Sequence, residues 1–312
     1  MIDPKLIDRE NWEEHYVKQG DPSKPTYYII RRKGVWPGLF ATFSLVAGAV
    51  KYAITKGWIP VVDMQNYPSA YLPPEKLGKE NAWEYYFEQP MGIGLEEAQN
   101  GDNIILSNEF KMPIPWRMIF HWGSRKDILA EWKILVTRGF LKIKPEITEE
   151  VLAIRDKLFP PKERILGVHL RGTDYLTRPH GHMIPPPTEY ALKVVIERMR
   201  EWKCDKLFLA TEDINILKIF QESFGNYLLT FDKPYKDYKP GKTVGYTRIE
   251  RENDYFLSGK DYLIEMLLLS KCNSFIASGG AGNNCAMFFG ENFDNVHVFD
   301  FGCYGIYPKY KP

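Results

Sequence analysis

Three apolar runs in the second half of the chain each end on residues that could do chemistry. Ile165–Leu170 leads into Arg171, Gly172, Thr173, Asp174 and Tyr175; Leu207–Ala210 leads into Thr211, Glu212 and Asp213. Ser274–Ala277 leads into Ser278, Gly279, Gly280, Ala281, Gly282, Asn283 and Asn284. An arginine, a carboxylate cluster and a Gly-rich turn are thus delivered to the ends of candidate strands. Glycines let backbone approach an anion closely, and the free N–H groups opening a helix favour negative charge. The turn is neither a P-loop nor Gly-x-Gly-x-x-Gly, so a tight structural turn is the competing reading. Arg171 can grip a phosphate through its planar fork; its plainer use is a salt bridge to Asp174 or Glu212. His169, at the end of a strand, reads as a ligand-facing imidazole beside Arg171 or as a satisfied core residue.

Glu265 stands among Tyr262, Leu263, Ile264, Met266, Leu267, Leu268 and Leu269. A carboxylate there is costly unless it meets donors. The N1–H and 2-amino groups of a guanine edge suit its two oxygens. A solvent-facing position, or a pair with Lys271 or Arg248, is the alternative. Asp63 follows an earlier strand and reads as a hydroxyl ligand, a base or a turn former. His180 and His182 are base candidates; as metal ligands they lack a clear third partner, and no metal site is expected.

These residues need a frame to hold them. Strands at Ile165–Leu170, Leu207–Ala210, Tyr227–Phe231, Ser274–Ala277 and Val296–Phe299 alternate with helices at Thr188–Trp202, Ile214–Phe224, Asp261–Lys271 and Ala281–Phe289. Strict alternation predicts a parallel sheet covered by helices, with ligands at the carboxyl ends of its strands. In the first half, a strand at Tyr27–Arg31, the Gly34–Gly38 loop, a helix from Leu39 to about Lys56 closed by Gly57, and a strand at Trp58–Asp63 make a βαβ unit. A strand at Ile104–Leu106, a helix around Ile128–Val136 and another at about Glu149–Leu158 follow. Pro160 and Pro161 mark the expected junction between domains 1–160 and 161–312.

Composition bounds the rest. The chain has 312 residues, enough for two domains with their own cores, and 41 Lys plus Arg balance 40 Asp plus Glu at net +1. That balance argues against non-specific nucleic-acid binding. Four scattered cysteines form neither a disulfide framework nor a C-x-x-C zinc pair. The apolar stretch Leu39–Ile54 is too short and too interrupted to span a bilayer. The opening residues, acidic at Glu10, Glu13 and Glu14, are unlike a signal peptide. A cytoplasmic protein is expected, with peripheral membrane contact left open. Aromatic residues reach 14%, concentrated in a Pro-rich segment from Tyr67 to Ile93. Its rings read either as the wall of a cleft or as an insertion packed on the core.

His169-Leu170-Arg171-Gly172-Thr173-Asp174 resembles the His-x-Arg-Arg-x-Asp motif of GDP-fucose-dependent fucosyltransferases: the α-1,6 enzymes, the nodulation enzyme and, more loosely, the protein O-fucosyltransferases. Pro186-Pro187-Thr188-Glu189-Tyr190, Phe208–Asp213, and Leu263-Ile264-Glu265 with Leu269, Ser270 and Phe275 are similar to further segments in the same order. The likeness covers roughly residues 165–290; around Gly38-Leu39-Phe40 it is one of outline. It implies an α/β, GT-B-like fold of two Rossmann-like domains with parallel sheets facing a cleft. It also implies inverting, metal-independent transfer from a GDP-sugar, with no cofactor. Arg171 would hold the pyrophosphate, and His169 and Glu265 the guanine. Thr211 and Asp213 would join the donor site. Ser278 to Asn283 would cradle phosphate, and Gly38 would approach the β-phosphate. The motif's second Arg is Gly172 here, for which Arg178 or Arg248 could substitute. The α-1,6 enzymes' proposed base falls on Pro179, so that role does not transfer.

Inverting transfer needs a base at the acceptor hydroxyl and positive charge at the leaving diphosphate. Arg171 and helix-terminal N–H groups suit the second task; Asp174, His180, His182 and Asp63 are candidates for the first. The leading expectation is a fucosyltransferase-like enzyme with a glycan or lipid-linked glycan acceptor, in bacterial surface-polysaccharide synthesis. A non-catalytic nucleotide- or glycan-binding protein, and a transferase using a UDP- or CMP-sugar, are the alternatives.

Overall fold

The computed structural model describes residues 15–31, 38–107, 126–177, 180–235, 247–290, 293–305 and 307–308. The chain divides into two compact units: Met1–Ile119 with Asp127–Pro145, and Phe120–Lys126 with Glu146–Pro312.

The first unit is built on four strands: β1 (His15–Lys18), β2 (Thr26–Arg31), β3 (Ile59–Asp63) and β4 (Asn103–Leu106), in sheet order β1-β4-β2-β3. β2 runs parallel to both neighbours, and β1 joins the edge antiparallel to β4. The expected βαβ unit is present: α1 (Leu39–Thr55) links β2 to β3, and Gly57 at φ 74 turns the chain out of the helix. α1 is buried on nearly every side, as its apolar sequence requires. Its first N–H, from Leu39, donates to the Tyr71 hydroxyl at 2.8 Å in the interior. Tyr71→Phe leaves that donor unsatisfied and is expected to cost about 1–3 kcal/mol in urea unfolding.

α2 (Leu95–Gln99) covers one face of this sheet, with Leu95 and Ala98 against Ile29, Val61 and Ile104. α3 (Lys126–Thr137) completes the unit. The aromatic segment is interior: Tyr71, Trp83, Tyr86 and Phe87 are buried, and Trp83 packs on Phe87 with centroids 4.5 Å apart. These rings belong to the first unit's core, the packed alternative of the two, rather than to the wall of a cleft.

The second unit opens with α4 (Pro145–Leu158), of which all but Pro145 belongs here. β5 (Ile165–His169), β6 (Lys206–Ala210), β7 (Leu228–Thr230), β8 (Ser274–Ala277) and β9 (Asn295–Val298) form an all-parallel sheet in order β7-β6-β5-β8-β9. Every residue of β5 is buried, as an apolar central strand demands. The crossovers include α5 (Thr188–Glu201), α6 (Ile214–Phe224), α7 (Asp254–Leu269) and α8 (Ala281–Phe289). α7 begins at Asp254 rather than Asp261. Asp254 is buried and anchors the first turn, accepting from Arg251 Nε, Ile249 N and Ser258 Oγ. A short hairpin of β10 (Gly302–Cys303) and β11 (Tyr307–Pro308) follows the sheet.

The chain reverses its direction of growth between β5 and β8. In such sheets the crevice beyond the carboxyl ends at that reversal is where ligands bind. No helix among the described residues is long and apolar enough to cross a membrane.

Candidate functional site

Several of the sequence-derived residues of the second unit lie at that reversal. Ser278 N–H donates to His169 O at 3.0 Å, and Arg171 N–H to Ser278 Oγ at 3.2 Å, tying the two strand ends together. Gly279 and Gly280 then take φ values of 83° and 123°. Side chains are strained there, so the turn needs its glycines to lead straight into α8. Gly282 serves packing instead: a Cβ on it would lie 2.4 Å from the Tyr262 hydroxyl. Ala281 opens the helix without a side-chain cap.

Arg171 makes the salt bridge to Glu212 that its type allowed. Its Nε donates to Glu212 Oε1 at 2.9 Å, and its guanidinium lies 4.5 Å from the Tyr175 ring centroid. Glu212 Oε1 also accepts from Gly172 N and Thr173 Oγ1, both at 3.0 Å. The carboxylate therefore orients Arg171 and holds the backbone beyond it. Thr173, a β-branched residue at φ 45, is kept in an unfavourable conformation by this grip. Asp213 accepts from Thr173 N at 3.3 Å and caps α6 through Asn215 N at 2.8 Å. Sequence reasoning passed over Tyr175. Its ring bridges Arg171 to His182, 5.1 Å away edge-on, and its hydroxyl lies 3.2 Å from where a Gly280 Cβ would stand.

His169 is buried and bonded through Nδ1 to Asn283 Oδ1. Burial pushes its pKa down to about 3; the Arg171 and Lys233 charges push the same way, and the Asn283 bond opposes them. The imidazole is neutral, and with Nδ1–H donated its Nε2 is an acceptor. Unfolded, it would titrate near its ordinary 6.5. Between pH 6.5 and 3 the unfolded chain thus binds a proton that the folded chain refuses, and stability falls as pH falls through that window. The slope from this group reaches about 1.4 kcal/mol per pH unit. Urea unfolding of His169→Gln at pH 7 and pH 4.5 should show a correspondingly flatter dependence.

Asn283 Nδ2 and Asn284 Nδ2 are buried without a hydrogen-bond partner among the described residues. Such donors cost about 1–3 kcal/mol each unless an acceptor completes them. Both residues stand in the first turn of α8, the end of a helix that favours an anion. Glu265 faces inward, neither exposed nor paired with Lys271 or Arg248. It lies 2.5 Å from Lys233 Nζ and accepts the Thr211 backbone N–H. Burial pulls its carboxyl above the ordinary value, while Lys233 and Thr211 hold it toward the ionised form. Arg248 is committed elsewhere, 3.7 Å from Asp254 and over the Tyr255 ring.

The remaining candidates are dispersed. His182 is exposed beside Tyr175, and His180 is exposed against Gly305. The Asp174 side chain, Arg178 and Pro179 lie outside the described residues. Asp63, in the first unit, accepts from Gln65 N, Asn66 N and Asn66 Nδ2 within 3.1 Å, the turn-forming use open to it. Gly38 precedes α1 in extended backbone, and Thr42 N–H donates to its carbonyl at 3.1 Å.

Two α/β units with parallel-rich sheets, the second carrying a polar cluster at its strand reversal, define a Rossmann-like class. No protein-family model matches the sequence, and no curated protein matches it. Among solved structures the chain is similar to the fucosyltransferase NodZ from Bradyrhizobium: 19% identity, TM-score 0.52, covering 92% of this chain and 98% of that one. NodZ α-1,6-fucosyltransferase soaked with GDP-fucose gives 19% identity and a TM-score of 0.51, over 86% and 93% of the two chains. POFUT1 in complex with GDP gives 10% identity and a TM-score of 0.54, over 92% and 100%. The likeness is one of fold, and it agrees with the α/β class with parallel-rich sheets that the His169–Asp174 motif implied.

Proposed function

We propose that the chain is a GDP-sugar-dependent glycosyltransferase of fucosyltransferase type. The observation that carries this reading is the placement of three features beyond the carboxyl ends of neighbouring strands of one parallel sheet. They are an oriented Arg171, the Gly279-Gly280 turn with buried Asn283 and Asn284 donors, and the inward Glu265. The diphosphate would lie between Arg171 and the start of α8, and the base toward His169 and Glu265. The fold shared with fucosyltransferases that hold GDP or GDP-fucose supports the same choice.

Departure of the GDP requires neutralisation of the charge that builds on its β-phosphate. A guanidinium and helix-terminal N–H groups, fixed before reaction, supply that without reorganisation. The transfer is therefore read as metal-independent, and as inverting from the resemblance of the His169–Asp174 segment to the fucosyltransferase motif. His182 lies beside the Tyr175 ring that carries Arg171 and is read as the base candidate. The acceptor is read as a glycan hydroxyl in surface-polysaccharide synthesis.

Incubation with GDP-fucose is expected to release GDP slowly to water and faster with a suitable glycan acceptor. Binding of GDP-fucose without turnover across acceptors would replace this reading with a non-catalytic nucleotide-binding protein. A melting-temperature rise selective for UDP or CMP would replace the guanine donor.

A further inference from the structure

Lys233 follows β7, and its ammonium is buried against Glu265 at 2.5 Å, their side chains 11% and 3% exposed. A buried ion pair is a poor device for stability, because desolvating both charges offsets their attraction and an apolar pair of like volume does as well. This pair also stands at the ligand-facing edge of the sheet. Lys233 lies beyond the carboxyl end of β7, Thr211 beyond that of β6 gives Glu265 its N–H, and His169 ends β5 within reach of both the Lys233 and Arg171 charges.

We propose that Lys233 and Glu265 act as a dyad that reads the base of the nucleotide donor, Lys233 donating to a ring carbonyl oxygen and Glu265 accepting from the ring N–H beside it. The inference rests on the nucleotide-sugar reading above and adds Lys233 as a residue that determines specificity. Guanine presents O6 as the acceptor, N1–H as the donor, and a 2-amino group for the second carboxylate oxygen. Hypoxanthine keeps the first two and lacks the third; uracil offers O4 and N3–H from a smaller ring. An adenine edge has the opposite polarity, setting an amino group against Lys233 and a ring-nitrogen lone pair against Glu265. A site built to hydrogen-bond one edge rejects the reversed edge strongly, because its buried groups are then left unpaired.

Calorimetric titration of the full chain with GDP, IDP, UDP and 2-aminoadenosine diphosphate tests this. The last compound keeps the 2-amino group and the diphosphate but reverses the two positions that the dyad reads. GDP is expected to bind tightest, with 2-aminoadenosine diphosphate about 100-fold weaker. Lys233→Met should weaken GDP and IDP by the same factor, roughly 10- to 100-fold, and narrow the gap to 2-aminoadenosine diphosphate. Lys233→Arg preserves the ion pair and should fold as the wild type does, retaining the preference for GDP. Wild-type protein that binds 2-aminoadenosine diphosphate as tightly as GDP overturns the dyad while leaving the donor site standing. Absence of binding to every nucleoside diphosphate overturns the donor site itself, and the dyad with it.

Discussion

Arg171→Ala is expected to lower GDP affinity about 100- to 1,000-fold while the protein stays folded. Two charge-assisted hydrogen bonds to phosphate would be lost, together worth about 3–4 kcal/mol. The fold should survive because Glu212 is not orphaned: its Oε1 keeps Gly172 N and Thr173 Oγ1 as donors. Tyr175 loses the cation above its ring. Arg171→Lys should recover part of the affinity, as a point charge without the planar fork. Titration of GDP, with melting temperature as the control, reads all of this. Unchanged GDP affinity in a folded Arg171→Ala protein would remove Arg171 from the donor site.

Gly172→Ala is expected to destabilise the protein by about 2–4 kcal/mol in urea unfolding. A Cβ on Gly172 would lie 2.2 Å from Asp213 Oδ2 and 2.8 Å from Asp213 Cβ. Asp213 is buried and caps α6, so it can retreat only by giving up the cap. Overpacking costs about 1–3 kcal/mol and a lost cap about 1. Gly172→Arg, which would restore the second arginine of the fucosyltransferase motif, should fail for the same reason. In an Asp213→Ser background the penalty of Gly172→Ala should shrink, because the smaller side chain vacates the clash. An equal penalty in both backgrounds would mean that Asp213 is not what excludes a side chain there.

Much of the second unit was legible because its three central strands are buried on both faces. Such strands read as short apolar runs stopped by polar or glycine residues, so β5, β6 and β8 fall within a residue of their expected bounds. The residues that stop those runs are the site itself. Arg171, Ser278, Asn283 and the glycine pair were visible for that reason. β1 carried no such signal: it is four residues at a sheet edge, His15-Tyr16-Val17-Lys18. The start of α7 was masked by charged Asp254, Lys260 and Asp261, whose partners are ion pairs from outside the helix's apolar face. Lys233 was invisible because its meaning depends on a partner 32 residues away, a separation that no local period encodes. Gly172 looked like a missing cation and is a steric requirement of Asp213.

One site in the second unit is proposed to bind a guanosine diphosphate-linked sugar, and a crystal structure of the chain soaked with GDP-fucose tests this at atomic detail. Phosphate oxygens are expected within hydrogen-bond distance of the Arg171 guanidinium and the backbone N–H groups that open α8, with Glu265 and Lys233 on the base edge. Nucleotide bound away from Arg171, or no nucleotide at saturating concentration, would contradict it.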